Sequence, residues 1–300
     1  MSTNLRNLGR EVLGPTRYQR LSKLKAAVQY GLFASPLVRL VSLLPKRQYV
    51  QVRENLKRIE RLDYHSGDVK LNVETLEHVG RLRSCAKEPG TVRWIEAHVR
   101  PGDVFYDIGA NVGAYTLVAF RHTHGRSSIV AFEPAFATFA TLCENLATNQ
   151  CGGTVIPLNV ALTEQTGVLT FNFSDTTSGA ALHAVGEPIS QDGESFTPVY
   201  AQPVLAYRLD DLIEQMDLPS PNHIKIDVDG AEPSILRGAE RTLRSGNVRS
   251  LLIEANDTLP SRDEIVGIMR DYGYSVSERI NALTMTEFSY YLFERSHQGS

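Results

Sequence analysis

The sequence predicts an α/β fold, a doubly wound and mostly parallel sheet of Rossmann-like type preceded by a helical extension. Three observations carry this reading. From about Lys70 onward, short apolar runs alternate with amphipathic segments, the pattern of a parallel sheet covered on both faces. A glycine-bearing turn, Asp107-Ile-Gly109-Ala110-Asn111-Val-Gly113, follows the first clear strand pattern and opens a helix. The first 62 residues hold thirteen Lys and Arg against three acids, a surplus of ten, which leaves the remainder at −13 in a chain of net charge −3.

The extension is placed at residues 1–65 and the main domain at 66–300. Residues 26–44 form the most apolar run, but Gln29, Pro36 and Arg39 interrupt it, short of the roughly 20 apolar residues of a spanning helix. Leu37, Leu40, Val41 and Leu44 recur at i, i+3, i+4 and i+7, an apolar face beside basic residues. Two roles fit: packing on the acidic remainder, or peripheral contact with the anionic inner face of a membrane. No apolar core followed by a cleavage site marks a secretory signal. Cys85, Cys143 and Cys151 are odd in number and contain no C-x-x-C pair, so neither a disulfide framework nor a cysteine zinc site is indicated, and a cytoplasmic setting is expected.

In the domain, strands are expected at 104–108, 128–132, 154–160, 223–228 and 248–253. One helix starts near Ala114. A second covers 136–149, where Phe136, Phe139, Leu142 and Leu146 recur at helical spacing, and both phenylalanines are assigned to the core. Residues 167–173 and 199–205 read as strands flanking Ser174 to Thr197, a polar stretch too long for an ordinary connection and therefore expected to be a functional lid. Residues 274–277 and 289–293 read as a closing antiparallel pair with a polar linker between them.

The turn after the first strand selects among ligands. A dinucleotide fingerprint needs G-x-G-x-x-G, whereas here Gly109 and Gly113 stand four apart and Asn111 takes the middle glycine position, which argues against a nicotinamide-dependent oxidoreductase. Asp107 leading the turn suits a ligand carrying an ammonium or sulfonium group. Glu133 in Phe132-Glu133-Pro134 ends the second strand, where an ionised carboxylate accepts from both hydroxyls of a ribose. Asn159-Val160-Ala161-Leu162 ends the third and offers backbone to an adenine edge.

These motifs, with Lys225-Ile-Asp227-Val-Asp229-Gly230-Ala231-Glu232, resemble the FkbM family of S-adenosylmethionine-dependent methyltransferases over about Thr75 to Phe293. The resemblance implies a seven-stranded sheet with a reversed last strand, S-adenosylmethionine as donor and a hydroxyl oxygen as the usual acceptor. It implies that Glu88-Pro-Gly-Thr91 caps the donor site and that Tyr115, Pro134 and Asp227 border it. Asp229 stands where the family usually carries Glu, a shorter reach for the same carboxylate.

Methyl transfer to a hydroxyl needs the acceptor oxygen held in line and a base within reach of its proton. Asp227, Asp229 and Glu232 at the end of the fourth strand are the candidates, with His183 in the lid and His223 as alternative bases. Asp229 and Glu232 also have the spacing of a helix capping box. Lys225, two residues before Asp227, lies on the same face of the strand and is a candidate partner for its charge. The carboxylates are compatible with a divalent cation, although their spacing is not diagnostic of one. A nucleic-acid-binding module is disfavoured because Tyr18, Tyr30 and Tyr49 are sparse among the basic residues. The expected partner is a small-molecule, glycan or lipid-linked acceptor, which the sequence does not name.

Overall fold

The computed structural model describes residues 36, 38–283 and 287–295. Leu37 and most of the apolar run at 26–44 lie outside them. Two compact units divide between Lys57 and Arg58 rather than near residue 65. The first contains helix α1 (Lys46–Asn55).

The second unit opens with an antiparallel hairpin, β1 (Arg58–Arg61) and β2 (Lys70–Val73), which accounts for the earlier boundary. Helices α2 (Leu76–Arg81), α3 (Ser84–Lys87) and α4 (Pro89–His98) follow. Then come β3 (Val104–Ile108), α5 (Ala114–His122), β4 (Ser128–Phe132), α6 (Phe136–Thr148) and β5 (Val155–Leu158). The chain next builds a separate small sheet from β6 (Ala161–Leu162), β7 (Gly167–Phe173), β8 (Ala184–Val185) and β9 (Tyr200–Tyr207). It returns through α7 (Leu209–Met216), β10 (His223–Ile226), α8 (Glu232–Gly238), α9 (Glu240–Arg244), β11 (Ser250–Asn256) and α10 (Pro260–Asp271) to β12 (Tyr274–Asn281) and β13 (Phe288–Arg295).

The main sheet has seven strands in the order β12-β13-β11-β10-β3-β4-β5, and β13 alone runs against the rest. The period-two alternation of its strands divides the core into two layers. Phe105, Ile129, Leu252 and Leu292 pack with α4, α5 and α6 on one face, and Tyr106, Val130, Leu251 and Phe293 pack with α7, α8 and α10 on the other.

Three expectations are corrected. The polar linker shrinks because β12 runs to Asn281 and β13 starts at Phe288, with the register continuing to Asn281↔Ser289. The third strand stops at Leu158, and Ala161–Leu162 leaves the main sheet to pair with β9. Phe136 is 44% exposed rather than core, its ring lying 5.4 Å from that of Phe173, whereas Phe139 is partly buried against the first layer.

The hairpin is fastened to α6 by Asn145, which is fully buried. Its Oδ1 accepts from the backbone N–H (2.7 Å) and the side chain (2.9 Å) of Asn72, and its Nδ2 donates to the carbonyl of Val112 in the turn after β3 (2.8 Å). Asn145→Ala removes these bonds and leaves the Asn72 side chain only its 3.3 Å bond to Thr148 Oγ1, so urea unfolding should show a loss of about 1–3 kcal/mol.

Candidate active site

In an open doubly wound sheet, ligands bind beyond the carboxyl ends of the strands where the strand order reverses. Here that point lies between β3 and β10, and a cavity of about 420 Å³ opens there. Gly109, Asn111, Glu133, Val160, Asp227 and Asp229 all line it. Six predicted residues from four strand ends thus meet in one place.

Gly109 has φ +80°, and a Cβ there would stand 2.0 Å from the carbonyl oxygen of Asp227. Glycine is therefore required for the turn to close against the end of β10. The Gly109 and Ala110 amides both donate to the Phe132 carbonyl, at 3.1 and 3.0 Å, and Gly113 N–H donates to Ala110. The turn offers the cavity its open surface rather than these N–H groups.

Behind the cavity lies a buried charge chain. Lys225 Nζ stands 2.7 Å from Asp227 Oδ2 and 3.7 Å from Asp107 Oδ1, as the shared strand face predicted for the first pair. Burial pushes the lysine pKa down, but the two carboxylates outweigh it and hold it above its ordinary value. Burial likewise pushes Asp227 up, and the adjacent ammonium reverses that and keeps it ionised. Asp107 is driven upward by burial despite Lys225 and a 2.6 Å bond from Thr116. It does not line the cavity, whereas Asp227, 26% exposed, does.

Glu133 is buried, Oε1 accepting from Ala135 N–H (2.8 Å) and Oε2 from Asn111 N–H (2.9 Å). A carboxylate keeps acceptor capacity beyond these two bonds, which suits two ribose hydroxyls. Pro134, Val160, Ala161 and Leu162 continue the lining from Glu133. Glu88, Thr91 and Tyr115 lie outside that lining. Tyr115 donates to the Ser84 carbonyl (3.0 Å), and its ring lies 5.1 Å from Lys225 Nζ. Glu88 Oε2, Thr91 Oγ1 and Asp107 Oδ1 are buried without a hydrogen-bond partner. On the cavity wall, a carboxylate with spare acceptor capacity at Glu133, the small apolar run at Val160 and Ala161 and the ionised Asp227 fit a nucleoside bearing a sulfonium and an ammonium group.

Asp229 and Glu232 do not form a capping box. Ala231 is the N-cap of α8 without a side-chain cap bond, and Glu232 Oε1 accepts from Gly230 N–H at 3.3 Å. Asp229 instead accepts from Leu182 and His183 of the lid. Burial raises Glu232 to about 8, outside the cavity lining, and Asp229 to about 6, within it. His183 lines the cavity among Phe171 and Phe173, and burial lowers it to about 4. His223 sits at the start of β10, away from the strand ends, beside Ser250 Oγ (2.8 Å). Sequence reasoning missed Arg81, the cation lining the cavity, which donates to the Gly179 carbonyl. It precedes every motif, and only the tertiary fold brings it in. No cluster of three or more His, Cys, Asp or Glu arranged to hold a metal occurs among the described residues.

A model of the methyltransferase FkbM domain matches residues 107–276. The chain belongs to the FkbM methyltransferase family. As a member it is an S-adenosylmethionine-dependent methyltransferase. It is 25% identical to the hexuronic acid methyltransferase AglP of Haloferax volcanii over 71% of this chain and 85% of that one. It is 28% identical to the 31-O-demethyl-FK506 methyltransferase FkbM of Streptomyces tacrolimicus over 68% and 87%. The crystal structure of methyltransferase FkbM from Methylobacillus flagellatus is 18% identical, with a TM-score of 0.45 over 65% of this chain and 44% of that chain.

The raised carboxylates of this methyltransferase give its stability a definite sign with pH. Burial lifts Asp229 to about 6, Glu133 to about 7 and Glu232 to about 8, so the folded state retains protons that the unfolded state has released. The ligand-free enzyme should lose stability as pH rises from about 7 to 8, above the range in which the lowered His183 and His223 pull the other way, by up to about 1.4 kcal/mol per pH unit for each group titrating. Affinity for S-adenosylhomocysteine should move the other way and fall as Glu133 is protonated below about pH 7. Urea unfolding and calorimetry from about pH 5 to 8 check both slopes.

Proposed function

We propose that this methyltransferase alkylates a hydroxyl oxygen of a sugar or hydroxylated secondary metabolite. The observation that carries the proposal is Asp227, held ionised by Lys225 and partly exposed on the cavity wall. S-adenosylmethionine supplies a methyl group on a sulfonium, open to in-line displacement. A hydroxyl is a weak nucleophile until its proton has somewhere to go, and Asp227 supplies an acceptor for that proton and fixes the direction of the oxygen lone pair. Its lowered pKa makes it a modest base, so orientation is the larger part of its contribution. His183 remains neutral at physiological pH and walls the cavity with Val185 and Ile189. Two relatives support a sugar or secondary-metabolite acceptor, one named for a hexuronic acid and one for the 31-O-demethyl form of FK506, and the second name carries the choice of an oxygen as the methylated atom.

The test is a panel of hexoses, hexuronic acids and hydroxylated macrocycles incubated with methyl-labelled donor. Label should enter an alkali-stable ether; label confined to alkali-labile esters, or to none of the panel, contradicts the proposal. Asp227→Asn should lower turnover by about 10²–10⁴, a larger factor than the loss of S-adenosylhomocysteine affinity that follows from weakening its hold on the amino-acid end.

We further propose that the basic extension brings the enzyme to an anionic membrane surface, where a lipid-linked acceptor is presented. Its surplus of ten positive charges supports this reading, at roughly 1 kcal/mol for each basic residue near such a surface. Among the described residues no helix is long and apolar enough to cross a membrane. Full-length protein should sediment with phosphatidylserine vesicles at low salt and be released as salt rises. Failure to sediment at low salt contradicts the proposal.

A further inference from the structure

Asp229 leaves its lid contacts unexplained by a role in chemistry. Leu182 and His183 both donate their backbone N–H groups to one oxygen, Asp229 Oδ2, at 2.5 and 3.1 Å. Leu182 has φ +67°, a conformation that is costly for a side chain branched beyond Cβ. That left-handed residue turns two successive N–H groups toward the same point, the geometry of a backbone nest for an anion. The anion in this nest is the enzyme's own carboxylate, from the end of the fourth strand.

The surrounding contacts show what the nest holds. Asn111, whose N–H donates to Glu133, sends its Nδ2 to the carbonyl of Ala180 at 3.1 Å. Arg81 holds Gly179 by its carbonyl, and Thr138 accepts from the Gly179 N–H. Residues 179–183 are thereby fixed between the donor turn and the β10 end. They carry Ala180, Ala181 and His183 into the wall of the same cavity that Asp227 lines.

We propose that Asp229 is a positioning residue: its carboxylate fills a backbone nest at Leu182–His183 and thereby sets the lid wall that places the acceptor. It is not the base. The inference deepens the hydroxyl-methyltransferase reading and rests on it for the acceptor, although the latch itself does not. The nest also accounts for a short acid here, because the lid backbone comes to meet Asp229 rather than the side chain reaching out.

The experiment compares wild type, Asp229→Ala and Asp229→Asn. The first readout is hydrogen exchange at the Leu182 and His183 amides, the second is calorimetry with S-adenosylhomocysteine, and the third is methylation of glucuronate. Asparagine keeps a carbonyl oxygen that accepts from both amides, whereas alanine does not. In Asp229→Ala, exchange at the two amides should quicken at least about tenfold and KM for glucuronate should rise more than kcat falls, with donor-product affinity within about threefold of wild type. Asp229→Asn should restore protection and most of the turnover. Unchanged protection in Asp229→Ala overturns the latch. An asparagine variant that keeps protection but is as inactive as alanine shows a proton-transfer role and overturns the positioning assignment. Should Asp229→Ala fail to fold, the asparagine variant decides between the two roles alone. Absence of glucuronate methylation by wild type counts against the acceptor reading, while the exchange data still decide the latch.

Discussion

Lys225 is the group on which the rest of the site depends. A fully buried ammonium is tolerated only when paired, and its partners come from two neighbouring strands: Asp107 directly opposite in the β3–β10 ladder and Asp227 two residues further along the same face. Because side chains alternate along a strand, a register slip of one residue would turn Lys225 and Asp227 together to the opposite face and leave Asp107 buried without its cation. The charge chain therefore selects the register of the two central strands. Those strands also carry the turn at Gly109 and the acids beyond Ile226, so the same pairing that secures the sheet aims the site.

The polar groups around the cavity do double duty. Glu133 keeps acceptor capacity on the cavity wall and is itself held by the turn after β3 through Asn111, which also holds Ala180. Asp227 faces the cavity because its neighbour neutralises it, and Asp229 is occupied by the lid backbone. Three carboxylates in the same small space thus acquire different work from their partners. Burial pushes Glu133 and Asp229 up, while the lysine holds Asp227 down. As pH rises and the folded state gives up the protons of the raised groups, they oppose folding, the expected cost of a preformed site.

Much of this was legible in the sequence because it rests on local chemistry. Strand periodicity located the central strands, the Gly109–Gly113 spacing set the donor turn apart from a dinucleotide turn, and alternation along β10 paired Lys225 with Asp227. The long stretch after Phe173 was recognisable by its length and polarity, and several of its residues do line the cavity. What escaped was nonlocal. The small sheet depends on Ala161–Leu162 crossing to β9, Arg81 enters only when α2 docks, and the capping-box spacing of Asp229 and Glu232 was overridden by a tertiary contact from a segment some 46 residues away. Phe136 fitted the helical period, yet it lies in the first turn of α6, where its face looks toward the small sheet rather than the core.

The central claim is that the charge chain and Glu133 together fix the direction of the donor along the cavity. The most direct measurement is a crystal structure of the protein with S-adenosylhomocysteine. The account predicts the ribose hydroxyls on Glu133, the adenine against Val160 and Ala161, and the amino-acid end toward Asp227, Glu88 and Thr91. A nucleoside lying instead among His183 and Ile189, with the oxygens of Glu88 and Thr91 still unpartnered, would contradict it.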